Sequence, residues 1–315
     1  MAKNKLIVSL TGGLGNQLFQ LAASMNISNN SEVLLTSAYG SPRSYGNITA
    51  DLFSFSLPND VKMMKRRPAS GLVKKCVGYN LRMGTSPRNY EKIKFVKWLI
   101  IIATKLILIF DLRHFYTLVV GKGVGYCDIY KGNKNSLLVG YFQSYKWVLN
   151  SKVLAGLNAI KPLDQSNVLD NLILKAKIEK PLFVHVRLTD YKKEEKIGIL
   201  LKDYYSIAIK SQMNSKKYTK IWLFSDEFET AISYIPDEFK GCLFIIPKID
   251  GSPALTLELL RYGSGYVIAN SSFSWWGAFL AYEKNVRVIA PHPWFKDMES
   301  PKDLIPPNWE TLNPW

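Results

Sequence analysis

In the stretch HVRLTDY, His185 to Tyr191, five side chains able to donate, accept or carry charge fall within seven residues. The stretch continues the apolar run PLFVHVR, so strand alternation puts His185 and Arg187 on one face, with Asp190 and Tyr191 just past the strand end. An arginine there can grip a diphosphate through paired hydrogen bonds and offset charge growing on a departing phosphate. Asp190 can orient Arg187 or, if desolvated, serve as a base. The same two residues can equally form a structural pair that closes the strand.

Two further segments place polar groups at the ends of apolar runs. In FSDE, Asp226 and Glu227 suit a ribose or the donors of a base edge, while Ser225 and Asp226 also suit a helix cap or packing support. In YVIANSSFSWWGAFLAY, Asn270, Ser271 and Ser272 stand between a strand and an aromatic helix. Unpaired amides behind Ser271 and Ser272 make an anion pocket that needs no metal. Phe273, Trp275 and Trp276 read as core, and Gly277 and Ala278 as close-packing positions on the sheet. Glu258, one turn from Leu255 in SPALTLELL, is a candidate diol or ribose contact or a solvated carboxylate, and Asp250 brackets the same stretch. There is no paired-carboxylate segment of the kind that holds a metal–phosphate complex.

A glycine turn, TGGLGNQ, lies between an apolar run, KLIVSL, and a helical stretch. It lacks the third glycine of a dinucleotide fingerprint and the lysine of a phosphate loop. Gly12, Gly13 and Gly15 still allow close backbone approach to a ligand, and the helix start behind them offers amides to an anion. A tight turn without a ligand fits the segment as well.

These segments need a scaffold of strands whose ends converge, and the second half of the chain supplies the pattern. PLFVHVR, TKIWLFSD, GCLFIIP, YVIAN and VRVIAP are short, β-branched and nearly continuously apolar, as parallel strands covered on both faces are. Helical stretches separate them: LKDYYSIAIKSQ, SPALTLELLRYG and SFSWWGAFLAYEK. This predicts an open α/β domain with its ligands outside the carboxyl ends of the strands. The first half begins alike with KLIVSL and EVLLT, loses regularity through an insertion at about 60–135, and resumes near LLVGYFQSYKWV. The expected domains are residues 1–178 and 179–315.

The 315 residues are 47% hydrophobic and carry a net charge of +16, of which +11 falls between Val61 and Phe110. That basic stretch ends in KWLIIIATKLILIF, too short to span a bilayer and interrupted by Lys105. A basic region beside an apolar helix suits an anionic membrane surface; a buried helix with a solvated basic loop is the alternative. No nucleic-acid motif accompanies the charge, so nucleic acid is not expected as a partner. Three scattered cysteines and three scattered histidines fit neither a disulfide framework nor a metal cluster. They suit a reducing compartment, and the opening MAKNKLIVSL has no signal-peptide shape, so a cytoplasmic protein is expected.

Taken in order, the segments resemble the bacterial α-1,2-fucosyltransferases of glycosyltransferase family eleven, and more distantly the α-1,6- and protein O-fucosyltransferases. GGLGNQLFQLA is similar to the family's N-terminal signature, and VHVRLTDY lies over its His-x-Arg-Arg-Gly-Asp-Tyr segment. WLFSDE lies over Phe-Ser-Asp-Asp, IANSSFSWWGAFL over its most specific block, and VIAPHPWF and LIPPNW over its ending. The resemblance implies an α/β fold of GT-B type, two facing Rossmann-like domains with a central cleft, acting without a metal or other cofactor. It implies inverting transfer of L-fucose from GDP-fucose to a galactose 2-hydroxyl. Carried over, Arg187 contacts the diphosphate, with Gly13, Gly15 and Asn16 near the donor. His185, Asp226, Glu258, Asn270, Ser271 and Ser272 complete the expected donor site, the first domain being the acceptor side. Asp190 is the first candidate base and Glu195 the second. The chain departs from the family at Leu188 and Thr189, where the family has its second arginine and its glycine. Either the donor is handled differently or position 188, on the opposite face from Arg187, is a packing position.

The acceptor implied is a galactose-bearing glycan. With the basic apolar stretch, this suggests a lipid-diphosphate-linked O-antigen repeat and a peripheral place on the inner face of the bacterial inner membrane, in lipopolysaccharide assembly. The alternatives are transfer of another nucleotide-linked sugar, or a non-catalytic protein that binds glycan or nucleotide.

Overall fold

A computed structural model describes residues 3–28, 31–64, 69–85, 94–112, 117–121, 124–129, 134–247, 249 and 251–315. Parts of the basic insertion at 60–135, and Asp250, lie outside the described residues. The chain forms two units, Met1–Leu163 and Asp164–Trp315.

The first unit runs β1 (Lys5–Ser9), α1 (Leu14–Ile27), β2 (Glu32–Thr36), β3 (Val61–Met63), α2 (Gly71–Thr85), α3 (Lys94–Leu112), β4 (Thr117–Val120), β5 (Ser136–Val139) and α4 (Ser151–Ala159). Its strands form a parallel sheet ordered β3-β2-β1-β5-β4. Ile7, Leu137 and Val139 from one sheet face pack with Val73 and Val77 of α2, and Ile101 and Ile107 of α3 join them. Alternation turns Leu6, Val8 and Leu138 to the other face, where they are also buried. Both faces being covered explains the unbroken apolar run in KLIVSL. The expected strands KLIVS and EVLLT are present; β3, of three residues, and β4, of four, lie inside the irregular stretch and are additions.

The second unit runs α5 (Asn167–Glu179), β6 (Leu182–Val186), α6 (Lys202–Ser215), β7 (Ile221–Ser225), α7 (Phe228–Ala231), β8 (Leu243–Ile245), α8 (Pro253–Leu259), β9 (Gly265–Val267), α9 (Ser272–Phe279), β10 (Val288–Pro291) and β11 (Glu310–Leu312). The sheet, ordered β11-β10-β9-β6-β7-β8, is parallel throughout. All five strands expected from sequence are here; β11 is an addition. One sheet face is aliphatic: Leu182, Val184, Val186, Leu223, Val267 and Ile289 meet Tyr204, Tyr205, Ala208 and Ile209 of α6. The other is aromatic, with Phe183 within 4.8–5.9 Å, centroid to centroid, of Trp222, Phe224 and Tyr266.

The boundary lies at Leu163/Asp164 and not at 178/179. Helix α5, placed by the sequence reading in the first domain, belongs to the second unit. Its Glu179 accepts a 2.7 Å hydrogen bond from Trp222 Nε1, and its Lys175 lies 3.5 Å from the Phe244 ring centroid. A charged tail, KAKIEKP, looks like a linker in sequence because its partners, Trp222 and Phe244, are far along the chain.

Candidate functional site

Strands β9, β6 and β7 are neighbours in the second sheet, so their carboxyl ends bring the three polar segments together. At the end of β6, Arg187 donates from Nε to Asp190 Oδ1 (2.9 Å) and from Nη2 to Asp190 Oδ2 (2.8 Å). Nε also lies 3.3 Å from Asp226 Oδ2. Burial works against the Arg187 charge, but the Asp190 bond and the Asp226 charge outweigh it, and the guanidinium is held above its ordinary pKa. Arginine is therefore a fixed cation here. With Nε and Nη2 aligned by Asp190, Nη1 makes no hydrogen bond among the described residues. Asp190 has both oxygens on the guanidinium, the arrangement of a residue that orients Arg187. Glu195 is exposed in the following turn, apart from this bonded set.

Asp226, at the end of β7, is committed to the same loop. Its Oδ1 accepts from the Leu188 amide (2.9 Å), and its Oδ2 from the Thr189 amide (3.1 Å) and the Thr189 hydroxyl. Burial raises its pKa, but these bonds and Arg187 outweigh burial and hold the carboxyl below the usual range. Of the two roles the sequence allowed, the carboxylate performs packing support, by fixing the backbone that carries Arg187. Thr189, which sequence reading treated only as a departure, is part of that clamp. Ser225 closes a turn, accepting from the Glu227 amide (3.0 Å).

On the β9 side, Ser271 caps α9, its Oγ accepting from the Phe273 amide (3.4 Å) while its carbonyl accepts from the Trp275 amide (3.0 Å). Ser272 opens the helix and is partly exposed. The Tyr191 hydroxyl donates to the Asn270 carbonyl (3.0 Å), joining the β6 loop to the α9 start. Asn270 is buried and donates from Nδ2 to Ile197 O (3.2 Å) and Gly198 O (3.1 Å), so it anchors the loop beyond Asp190. His185 lies beneath, its ring centroid 6.4 Å from that of Phe273. Burial, reinforced by the Arg187 charge, lowers its pKa to about 3, so it is a neutral ring at working pH.

Glu258 is elsewhere. It accepts from Arg261 Nη1 (3.0 Å) and the Tyr282 hydroxyl (2.7 Å) and is buried with Arg261. The sequence reading of Glu258 as a ribose contact is therefore corrected: the partner that makes this carboxylate structural, Tyr282, is distant in sequence. Trp275 and Trp276 are fully buried as expected. Gly277 meets Leu260 after α8, where an added Cβ would come within 2.6 Å of the leucine Cβ, so the close approach is to a helical turn and not to the sheet.

In the first unit, the glycine turn is shaped by two glutamines that sequence reading passed over. Gln17 donates to Gly12 O (2.8 Å) and Arg43 O (3.1 Å) and accepts from the Leu52 amide (2.8 Å). Gln20 accepts from the Thr11 amide (3.1 Å) and donates to Gly140 O (2.8 Å). The signal was available: two glutamines in an otherwise apolar helical face must bond the backbone if buried. Gly12 has φ +73°, and a Cβ there would meet Asn16 Nδ2 at 2.5 Å, so this position requires glycine. Gly13 precedes α1 as its cap, Gly15 is buried within it, and Asn16 accepts from Gln143 Nε2 (2.6 Å).

The second unit thus presents an oriented arginine and the start of α9 at adjacent strand ends, two features suited to an anion. Among the described residues, no three His, Cys, Asp or Glu side chains cluster to hold a metal ion. Residues 126–313 match the sequence pattern described as Glycosyl transferase family 11. The chain belongs to that family.

This family 11 chain is 30% identical over 132 residues to the α-1,2-colitosyltransferase of Escherichia coli, a match covering 40% of this chain and 45% of that protein. It is 28% identical over 133 residues to the O-antigen biosynthesis glycosyltransferase WbnK of Escherichia coli, covering 41% of this chain and 43% of the other. Each match spans less than half the relative's length. The crystal structure of fucosyltransferase NodZ from Bradyrhizobium is similar in fold, with a TM-score of 0.51 and 13% identity over 96% of this chain and all of that one. The fold is of GT-B type, built from two parallel-sheet α/β units.

Leu188, where the family carries a second arginine, continues the strand alternation into the aliphatic core and is 1% exposed among Leu200, Tyr204 and Tyr205. It is a packing position. Leu188→Arg is expected to destabilise the family 11 chain by about 3–5 kcal/mol, the cost of an uncompensated buried charge, with no gain in turnover. Denaturant unfolding measures the first and a transfer assay the second. Unchanged stability with faster turnover would show that the side chain reaches the donor side.

Proposed function

We propose that this family 11 chain transfers a fucosyl group, or a closely related deoxyhexosyl group, from a nucleotide-diphosphate sugar to a galactose 2-hydroxyl, with inversion and without a metal. The observation that carries the reading is Arg187, aligned by Asp190 at the end of β6 beside the capped start of α9. In a single displacement the acceptor oxygen bonds to the anomeric carbon as the bond to the diphosphate breaks. Arg187 and the α9 amides then stabilise the leaving diphosphate, the role a divalent cation fills in other transferases. In this reading the second unit holds the donor at its own strand ends, and the first unit receives the acceptor. Asp226, Asn270 and His185 act as positioning residues for Arg187 and its loop.

The names of the relatives support the choice of sugar and pathway class: a colitosyltransferase, an O-antigen glycosyltransferase and, in fold, a fucosyltransferase. The proposed acceptor is a galactose-terminated O-antigen repeat. The test is incubation with galactosyl acceptors and, separately, GDP-fucose, GDP-colitose, GDP-mannose, UDP-galactose and dTDP-rhamnose, with EDTA present, following nucleotide release and product mass. The expected result is release of GDP from GDP-fucose or GDP-colitose only, with one deoxyhexosyl unit added and the anomeric configuration inverted by NMR. Turnover abolished by EDTA and restored by a divalent cation would overturn the metal-independent mechanism, and release from UDP-galactose alone would overturn the donor.

A further inference from the structure

Helices α2 and α3 cover one face of the first sheet and are clasped to each other. Asn80 Nδ2 donates to Thr104 Oγ1 (2.9 Å) in a buried contact. Their inner side is core: Val73, Val77, Ile101 and Ile107 pack with Leu118, Leu137 and Val139. Their outer side is also apolar, which an ordinary surface helix pair is not. Leu72 is 63% exposed, Tyr79 57%, Trp98 57%, Leu99 44% and Leu106 54%. On α2 the exposed positions Leu72, Lys75, Tyr79 and Arg82 share one stripe at helical spacing. On α3, Leu99, Ala103 and Leu106 form another, with Trp98 and Lys105 beside it.

The charge of this face is one-sided. Among the described side chains of the two helices, Lys75, Arg82 and Lys105 are exposed and none is acidic. Alternating apolar and cationic side chains with almost no acid suit a surface that is itself anionic and has hydrocarbon beneath it. A second copy of the chain would bring the same positive face against itself, and a nucleic acid would leave the leucines uncovered. No helix among the described residues is long and apolar enough to cross a membrane, so the contact is interfacial. We infer that the outer face of α2 and α3 docks the protein on an anionic phospholipid leaflet, with Tyr79, Trp98, Leu99 and Leu106 entering the headgroup region and Lys75, Arg82 and Lys105 pairing with lipid phosphates.

This inference goes beyond the proposed transfer reaction and is independent of the donor. The test is sedimentation of the full chain with vesicles of phosphatidylcholine alone or with phosphatidylglycerol, at low and at physiological salt. Binding is expected only to the anionic vesicles and should weaken as salt rises. The triple variant Lys75→Glu, Arg82→Glu, Lys105→Glu should bind at least roughly 100-fold more weakly, at about fivefold for each cation lost and before the repulsion of the added carboxylates. Leu99→Ser with Leu106→Ser should also weaken binding, and a cooperative melting transition in each variant shows that the loss is not one of folding. The inference is overturned if the full chain ignores anionic vesicles at low salt, or if the charge-reversed variant binds as well as the parent. It is also overturned if the chain dimerises in the absence of lipid and the serine variant is monomeric, which would assign the face to a second copy.

Discussion

Arg187→Ala is expected to lower kcat for sugar transfer by about 10²–10³-fold, the range for removing one preorganised donor to a developing negative charge. The loss should fall on kcat more than on donor KM, because the leaving diphosphate gains charge only as the bond to sugar breaks. Lysine is not an adequate replacement. A single ammonium cannot satisfy both Asp190 oxygens and still present a planar donor, so Arg187→Lys should remain at least about tenfold slower than wild type. The roles of Arg187 and Asp190 separate in a double-mutant cycle. If Asp190 acts only by aligning the guanidinium through its 2.9 and 2.8 Å bonds, Asp190→Ala adds little once Arg187 is alanine. A large additional loss in the double variant would identify Asp190 as a base in its own right. An Arg187→Ala enzyme that folds and turns over within threefold of wild type would remove the basis of the proposed reaction.

The second large effect is expected at a residue that need not touch substrate. Asp226 holds the amides of Leu188 and Thr189, the Thr189 hydroxyl and one edge of Arg187, so Asp226→Ala releases the whole β6 loop. Loss of charge-assisted bonds with partly buried amides should cost about 2–3 kcal/mol, seen as a drop of roughly 5–10 °C in the melting of the second unit. Turnover should fall as Arg187 loses its backbone anchor. Asp226→Asn is expected to be nearly as damaging, because an amide that accepts from Leu188 turns its NH₂ toward the Thr189 amide and the guanidinium, where both are donors.

The pH dependence follows from the same group. Asp226 has a folded pKa below that of an unfolded aspartate, so its contribution is complete above about pH 4 and is lost as pH falls through the lower folded value. His185 acts over a higher window. With a folded pKa of about 3 and an unfolded value near 6.5, the unfolded chain takes up a proton that the native ring refuses, so stability declines on acidification below about pH 6.5. Unfolding free energy measured from pH 7 to 4 should therefore fall in wild type and fall less in His185→Phe. Equal slopes in the two proteins would show that the ring is not held neutral by burial.

Local sequence determined a large part of this protein. The strands of the second unit, their parallel burial on both faces and the helices between them follow from apolar runs and their spacing, which are properties of adjacent residues. Parity along β6 is of the same kind: Phe183, His185 and Arg187 alternate with Val184, Val186 and Leu188, so Leu188 was bound for the opposite face whatever the rest of the chain did. Arginine beside aspartate at a strand end, and Ser271 at a helix start, were visible for that reason. Partner choice was not. Whether Asp226 serves a ligand or a loop depends on β7 lying next to β6, and whether Asn270 holds the 197–198 backbone depends on β9 lying on its other side. Glu258 became structural through Tyr282, and α5 joined the second unit through Trp222 and Phe244. Gln17 and Gln20 shape the glycine turn through Arg43, Leu52 and Gly140, all remote in sequence. Periodicity fixes which way a side chain points, but the order of strands in the sheet decides what it meets, and that order is set by packing between segments far apart in the chain.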